Sequence, residues 1–304
     1  MSGKREPGRG HYDAETGLIK VSWSKIRTAE ECRQKAFLTA EGKKSKAPDV
    51  RIFFQGNVVD QAMRRRLSMD HPPMHWMAQY IDQIMDETEA KVKEEDGVLR
   101  WKHRDDRKEV RQFCYECVMR LEPILGQLIL PYEYQPALRF STKMNIPGLD
   151  DQPTPILLVG EMDVLTCYKP PLPDIESDQD PIVQALWRPE YRVWDLKVTK
   201  DASYWRKTAA QLVFYDIVCS CIFGVPTVEV GLIQPMVEGY PWISFRPSEE
   251  DRTQMYTRIV SVAQAIMAGD HSPKADSTGC SYCETRNACV KYAPEPGTKT
   301  MPLF

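Results

Sequence analysis

A change of hydrophobic period at Pro131 restricts the fold of this 304-residue chain more than any other feature. Upstream, apolar residues recur three and four apart, as on one face of a helix; downstream they alternate, as in strands. Val110, Phe113, Cys117, Leu121 and Leu125 form one helical stripe, Trp76, Tyr80, Ile84 and Val92 another, and a further helix is expected from about Val50 to Leu67. Thr28-Ala-Glu-Glu31 has the capping-box pattern and predicts a helix through Leu38 with Cys32 in its first turn. Past Pro131, strands are expected through Tyr132, Tyr134, Leu138 and Phe140, from Ile156 to Cys167 and from Tyr191 to Val198. A helix from about Ser203 to Cys221, a strand from Thr227 to Gln234 and a last helix through Met255, Ile259, Val262 and Ile266 follow. This order predicts an α/β core flanked by helices.

The Pro- and Asp-rich stretch from Lys169 to Glu190 reads as a surface insertion. The expected organisation is a basic tail over 1–20, one domain over 21–292 and a loose tail over 293–304. Within the domain, 21–130 is helical, 131–247 is the α/β core, and 248–292 holds the last helix and a cysteine segment. No internal repeat is visible.

A formal net charge of −3 gives no global positive field, so any nucleic-acid binding must come from local basic patches. The longest apolar stretch, Leu212 to Val225, is too short for a bilayer and is interrupted by Asp216. The start of the chain lacks an apolar signal region, so a cytoplasmic location with no membrane partner is expected, in a bacterial, archaeal or virus-infected host cell. In a reducing compartment the nine cysteines are thiols or metal ligands rather than disulfides. Cys114 and Cys117, although spaced C-x-x-C, fall on a core-facing helix stripe.

The strongest chemical signal is Gly160-Glu-Met-Asp163 on one expected strand and Asp195-Leu-Lys197 on the next. Strand alternation points Asp195 and Lys197 one way and Trp194, Leu196 and Val198 into the core. Two carboxylates and an ammonium converge there. Carboxylate oxygens suit Mg²⁺ or Mn²⁺, which can activate water and neutralise charge on a phosphate. The following helix carries Gln211 and Tyr215 four apart on one face, and Gly56-Asn-Val-Val-Asp60 puts another carboxylate on an N-terminal helix.

In this order the elements resemble the PD-(D/E)XK nucleases, specifically the RecB-like branch that includes the CRISPR-associated Cas-four iron–sulfur exonucleases, with a phage-encoded member among the kinds admitted. The branch carries a helical G-x-x-x-H, a strand ending G-x-x-D, a strand with (D/E)-x-K and a helix with Q-x-x-x-Y. Asp60 stands where the family has histidine. The resemblance implies a restriction-endonuclease-like core with a mixed central sheet. It implies Mg²⁺- or Mn²⁺-dependent hydrolysis of DNA, from ends or on single strands, in recombination, repair or CRISPR adaptation. Asp60, Asp163 and Asp195 would hold the metal, with Glu133 as a further ligand. Lys197 would position water or stabilise the transition state, and Gln211 and Tyr215 would support the site. The Asp60 replacement leaves open a catalytically weakened DNA-binding accessory subunit on the same fold.

Cys280-Ser-Tyr-Cys283 and Cys289 make a C-x₂-C-x₅-C pattern in a polar segment, one side of a metal or cluster site. A fourth ligand must come from elsewhere. The segment from Ser22 to Phe37 looks like the family's N-terminal cysteine segment, so the resemblance implies Cys32 as that ligand and a [4Fe–4S] cluster. A structural Zn²⁺ on the same thiolates is the alternative, and a redox-sensing iron–sulfur protein is a rival function. For phosphate contact the basic residues nearest the proposed site are Arg64 and Arg65, in the run Arg64-Arg65-Arg66, and Lys200, Arg206 and Lys207. A recombination or adaptation protein, or a second copy of the chain, remains open as partner. No G-x-x-x-x-G-K-(S/T) loop is present, so ATP-driven unwinding would need a partner.

Overall fold

The computed structural model describes residues 9–42, 51–69, 76–94, 106–169 and 188–274, and the single residues 280, 283, 285, 288 and 289. The helices are α1 (Trp23–Glu31), α2 (Arg33–Ala40), α3 (Arg51–Leu67), α4 (Trp76–Glu94), α5 (Asp106–Leu128), α6 (Trp205–Phe223) and α7 (Glu249–Met267). The strands are β1 (Ile19–Val21), β2 (Glu133–Pro147), β3 (Pro153–Tyr168), β4 (Glu190–Leu196), β5 (Glu229–Ile233) and β6 (Trp242–Phe245). The chain divides into two compact units, one drawn from 1–48, 140–160 and 254–304, the other from 49–139 and 161–253. Of the part expected to be helical, 21–130, the residues from 49 onward fall with core strands in the second unit and 21–48 fall in the first.

In the second unit, β3 pairs antiparallel with β4, β4 parallel with β5, and β5 antiparallel with β6. The result is the expected mixed α/β arrangement. Helices α3, α4 and α5 cover it. Of the expected stripes, Trp76, Ile84, Val110, Cys117, Leu121 and Leu125 lie in one buried cluster with Val164, Trp194, Leu196 and Ile233, joined by Phe54, Val58, Ala62, Met63, Ile81, Met85 and Cys114; Tyr80 and Phe113 pack against it partly buried, and the Val92 side chain lies outside the described residues. Each Val, Leu, Ile, Phe or Met side chain so removed from water contributes about 1.5–3 kcal/mol. Cys114 and Cys117 are buried, as expected of core residues, and burial pushes the Cys114 thiol up to about 12. Gly231 lies under the Trp194 ring, where a Cβ would collide with the indole, so glycine there lets β5 approach β4 with the tryptophan between layers.

Helix α6 ends at Gly224, whose φ of 73° and bond from its N–H to Ser220 O close the last turn in a left-handed cap. Asp216, the charge that interrupts the apolar run, is fully buried in α6. It accepts from Thr227 N at 2.8 Å, Thr227 Oγ1 at 2.6 Å and Arg252 Nε at 2.7 Å.

In the first unit, β1 pairs parallel with β3 through Ile19↔Ile156 and Val21↔Leu158. Helix α1 begins at Ser22, whose Oγ accepts from Lys25 N at 3.2 Å. The capping-box reading of Thr28 is thereby corrected: Thr28 is inside α1 and its hydroxyl donates to Ser24 O. Cys32 is the extended residue (φ −167°, ψ 117°) between α1 and α2 rather than part of a first turn. Helix α7 is tied to α1 by Arg258, whose Nε and Nη2 donate to the two carboxylate oxygens of Glu30 at 2.6 Å while the guanidinium lies over the Trp23 ring. Strands β1 and β6 are not anticipated from sequence, because three and four residues are too few to display alternation. Most of the expected insertion (170–187) and the tail over 293–304 lie outside the described residues.

Candidate active site

The site lies within the second unit, where the ladder between β3 and β4 ends. Val164↔Trp194 is the last backbone pair; beyond it Asp163 Oδ2 accepts the Leu196 N–H at 2.7 Å, so a carboxylate continues the ladder. Asp195, one residue from Trp194, is 1% exposed. Its Oδ2 sits 2.5 Å from Lys197 Nζ, and its Oδ1 accepts from Gln211 Nε2 at 3.0 Å. Lys197 itself is fixed just past β4 by its N–H, which donates to Ile233 O on β5 at 2.9 Å.

Gln211 and Tyr215, one turn apart on α6, form a directed chain. The Gln211 amide donates to Tyr215 Oη at 2.7 Å, and the Tyr215 hydroxyl donates to Glu161 O at 2.9 Å. Burial and the neighbouring Asp195 push the Tyr215 phenol well above its ordinary value, so it stays protonated and its hydrogen stays committed to that carbonyl.

A second group of charges adjoins the first. Arg64 Nη2 on α3 contacts Asp60 Oδ2 at 2.8 Å and Glu161 Oε1 at 2.6 Å, and Arg139 Nε on β2 contacts Glu161 Oε2 at 2.9 Å. Burial, then the charge of Asp163, raises Asp60 to about 6. Burial and Asp195 raise Asp163 likewise. Burial alone would lift Glu161, but Arg139 and Arg64 outweigh it and hold this carboxyl below its usual range. Lys197 shows the same contest: desolvation lowers it, and Asp195 with Asp163 more than restores it, keeping the ammonium charged.

The structure thus brings Asp163, Asp195, Lys197, Gln211 and Tyr215 together and sets Asp60 beside them. It does not bring Glu133 there: that carboxylate pairs with Lys169 at 2.7 Å, and Lys169 lies six residues past Asp163, about 20 Å along an extended strand. The arginine run is divided. Arg64 serves the carboxylates, Arg65 pairs with Glu87 and covers the Tyr80 ring, and Arg66 is buried against Glu122. Lys200, Arg206 and Lys207 are exposed, Lys200 over the Phe113 ring and Lys207 over that of Tyr204. Glu161 and Arg139 were not among the expected site residues. Glu161 stands inside the Gly160–Asp163 motif and was legible there; Arg139 reaches the site only through strand pairing.

Among the described residues no group of three His, Cys, Asp or Glu side chains is arranged to hold a metal ion. The oxygen chemistry of the carboxylates nevertheless fits a hard cation. Asp60 Oδ1 is buried with no hydrogen-bond partner, and Asp195 Oδ2 lies against the Lys197 ammonium. Two of the acids carry raised pKa values that a cation would lower again.

In the first unit, Cys283 N–H turns back to Cys280 O at 3.4 Å, and Cys289 Sγ lies 3.2 Å from Gln34 Oε1, two residues past Cys32. No disulfide joins the cysteines.

No known family pattern matches the chain, and no curated protein does. Among solved structures, the chain is similar to a candidate exonuclease from Eubacterium rectale, with 12% identity, a TM-score of 0.49 and coverage of 100% of this chain and 96% of that one. Among the described residues no helix is long and apolar enough to cross a membrane.

Proposed function

We propose that the chain is a metal-dependent DNA nuclease that hydrolyses phosphodiester bonds, acting on single strands or duplex ends in recombination, repair or CRISPR adaptation. The observation that carries this reading is the convergence of Asp163, Asp195 and Lys197 on the open end of the β3–β4 ladder, with Asp195 tethered by Gln211. Asp163 and Asp195 would hold Mg²⁺ or Mn²⁺, with Asp60 joining once released from Arg64. A bound cation would supply charge neutralisation and a more acidic water. Lys197, kept charged beside Asp195 and Asp163, would offer a proton donor to the charge that develops on the phosphate. Gln211 and Tyr215 hold the carboxylate in position; Lys200, Arg206 and Lys207 offer exposed charge to the backbone of the strand.

The cysteines support a structural [4Fe–4S] cluster on Cys32, Cys280, Cys283 and Cys289, with Zn²⁺ on the same thiolates as the alternative. The support is the placement of Cys289 against Gln34 beside the Cys32 junction.

A second reading, a DNA-binding accessory subunit with weakened chemistry, is favoured by one observation: Asp60 is already engaged by Arg64. One experiment separates the two. End-labelled linear single-stranded DNA and a circular control are incubated with anaerobically purified protein, its Lys197→Ala variant and Mn²⁺. Cutting by the parent alone supports the nuclease, and sparing of the circle makes it an exonuclease. Binding without cutting by either protein supports the accessory subunit.

A further inference from the structure

Resting on the nuclease reading, we propose that Glu161 is a latch that presents Arg64 and Arg139 as a clamp for one backbone phosphate of the DNA strand beside Asp163. The two oxygens of Glu161 are shared between two guanidinium groups, Oε1 with Arg64 at 2.6 Å and Oε2 with Arg139 at 2.9 Å. Both donors therefore converge on a volume the size of a single carboxylate. A phosphate presents the same charge and the same oxygen fork to a guanidinium, so the geometry that holds Glu161 suits a phosphodiester that displaces it.

Stability does not explain the Arg139–Glu161 contact. The Arg139 side chain is 87% exposed, and an exposed ion pair returns little beyond the entropy lost in ordering the long side chain. Arg64 retains a donor to spare: its Nε is buried without an acceptor while Nη2 serves Asp60 and Glu161. Glu161 is also well placed for the exchange, because its backbone carbonyl is anchored by the Tyr215 hydroxyl. The side chain can swing away while the strand that carries Asp163 stays fixed. The strand would then be gripped at a defined distance from the carboxylate pair, which is the kind of positioning that phosphate contacts supply.

The test is the binding of a labelled single-stranded oligonucleotide, followed by fluorescence anisotropy over a series of KCl concentrations with EDTA present so that nothing is cut. Glu161→Gln removes the internal competitor and is expected to bind on the order of tenfold tighter. Arg139→Gln loses one phosphate contact, so its binding weakens and its salt slope falls by about 0.7. Glu109→Gln, an equal loss of negative charge at an exposed position on α5, is expected to change affinity by less than about twofold.

The latch is overturned if Glu161→Gln melts like the parent and binds no tighter, if Arg139→Gln keeps the parental slope, or if Glu109→Gln matches the gain of Glu161→Gln. Arg139 lies at the surface, so its variant decides the matter should Glu161→Gln fail to fold. A parent that binds no DNA overturns both the latch and the nuclease reading; a parent that binds, with unchanged variants, overturns the latch alone.

Discussion

The Gln211 amide stands 3.0 Å from Asp195 Oδ1 and 2.7 Å from Tyr215 Oη, so a single side chain on α6 joins a buried carboxylate on β4 to a phenol that is itself bonded to β3. The register of the two site strands is thus enforced by side chains at the point where the backbone ladder between them has ended.

Breaking that chain should cost activity more than stability. Tyr215→Phe leaves Gln211 and the Glu161 carbonyl each short of a partner and is expected to lower stability by about 1–2 kcal/mol. Gln211→Leu frees Asp195 Oδ1 and should lower the cleavage rate on the order of a hundredfold, since misplacement of a ligand by about 1 Å is that expensive. Thermal melts and single-turnover cleavage measure the two effects. A Gln211→Leu enzyme at the parental rate would remove the tether from the mechanism.

Lys197 has a structural duty beside the chemical one proposed for it. Its ammonium is the cationic partner of a carboxylate that is 1% exposed, so Lys197→Ala should destabilise by about 3 kcal/mol as well as depress cleavage about a thousandfold. Because the cost is an unpaired buried charge, the double variant Lys197→Ala/Asp195→Asn should melt higher than Lys197→Ala. A double variant that melts lower would mean that packing of the lysine stem, and not the charge, is what matters.

The raised acids give a pH signature. Asp60 titrates near 6 in the folded chain against an ordinary 3.8, and Asp163 is shifted the same way. The folded state therefore holds these protons more tightly than the unfolded one. Stability that is fully present at low pH is lost as pH rises toward and through about 6. Without a divalent cation the melting temperature should fall from about pH 4 and level off above about pH 7, the span between the ordinary and the raised values of the two acids. Asp60→Asn should flatten the fall, as should saturating Mn²⁺. Equal slopes for parent and variant would show that Asp60 does not carry the effect.

Asp216 serves as the control for a buried charge outside the site. It joins α6, Thr227 and Arg252, and its replacement by Ala leaves Arg252 Nε and the Thr227 amide and hydroxyl without their acceptor, Arg252 Nη1 keeping Glu249. The expected loss is about 3–5 kcal/mol, with cleavage per folded molecule unchanged. Denaturant titration and active-site-normalised rates check this; a selective loss of rate would extend the site as far as Asp216.

Cys283→Ser should abolish iron binding and the visible absorbance of anaerobically purified protein, and lower its melting temperature. A stable variant with the parental absorbance would take Cys283 out of the ligand set. Zinc in place of iron in the parent would select the alternative metal on the same thiolates.

The amino-acid sequence by itself determined the longer helices and strands, though not the short β1 and β6, because periods of 3.6 and 2 are written in the spacing of residues such as Val110, Cys117 and Leu121 or Val193, Asp195 and Lys197. It also singled out Asp163, Asp195, Lys197, Gln211 and Tyr215, since each lies at a fixed offset within one element. Tertiary structure decided the rest. Ser22, not Thr28, starts α1, since an N-cap depends on where the chain leaves β1. Glu133 faces Lys169 instead of Asp163 because strand geometry puts the two acids far apart. Arg64 and Arg139 meet at Glu161 although 75 residues separate them in the chain, a meeting that follows from α3 and β2 both reaching β3. Local period is a property of neighbours in sequence. A charge network is a property of neighbours in space, and those are fixed only when the core has packed.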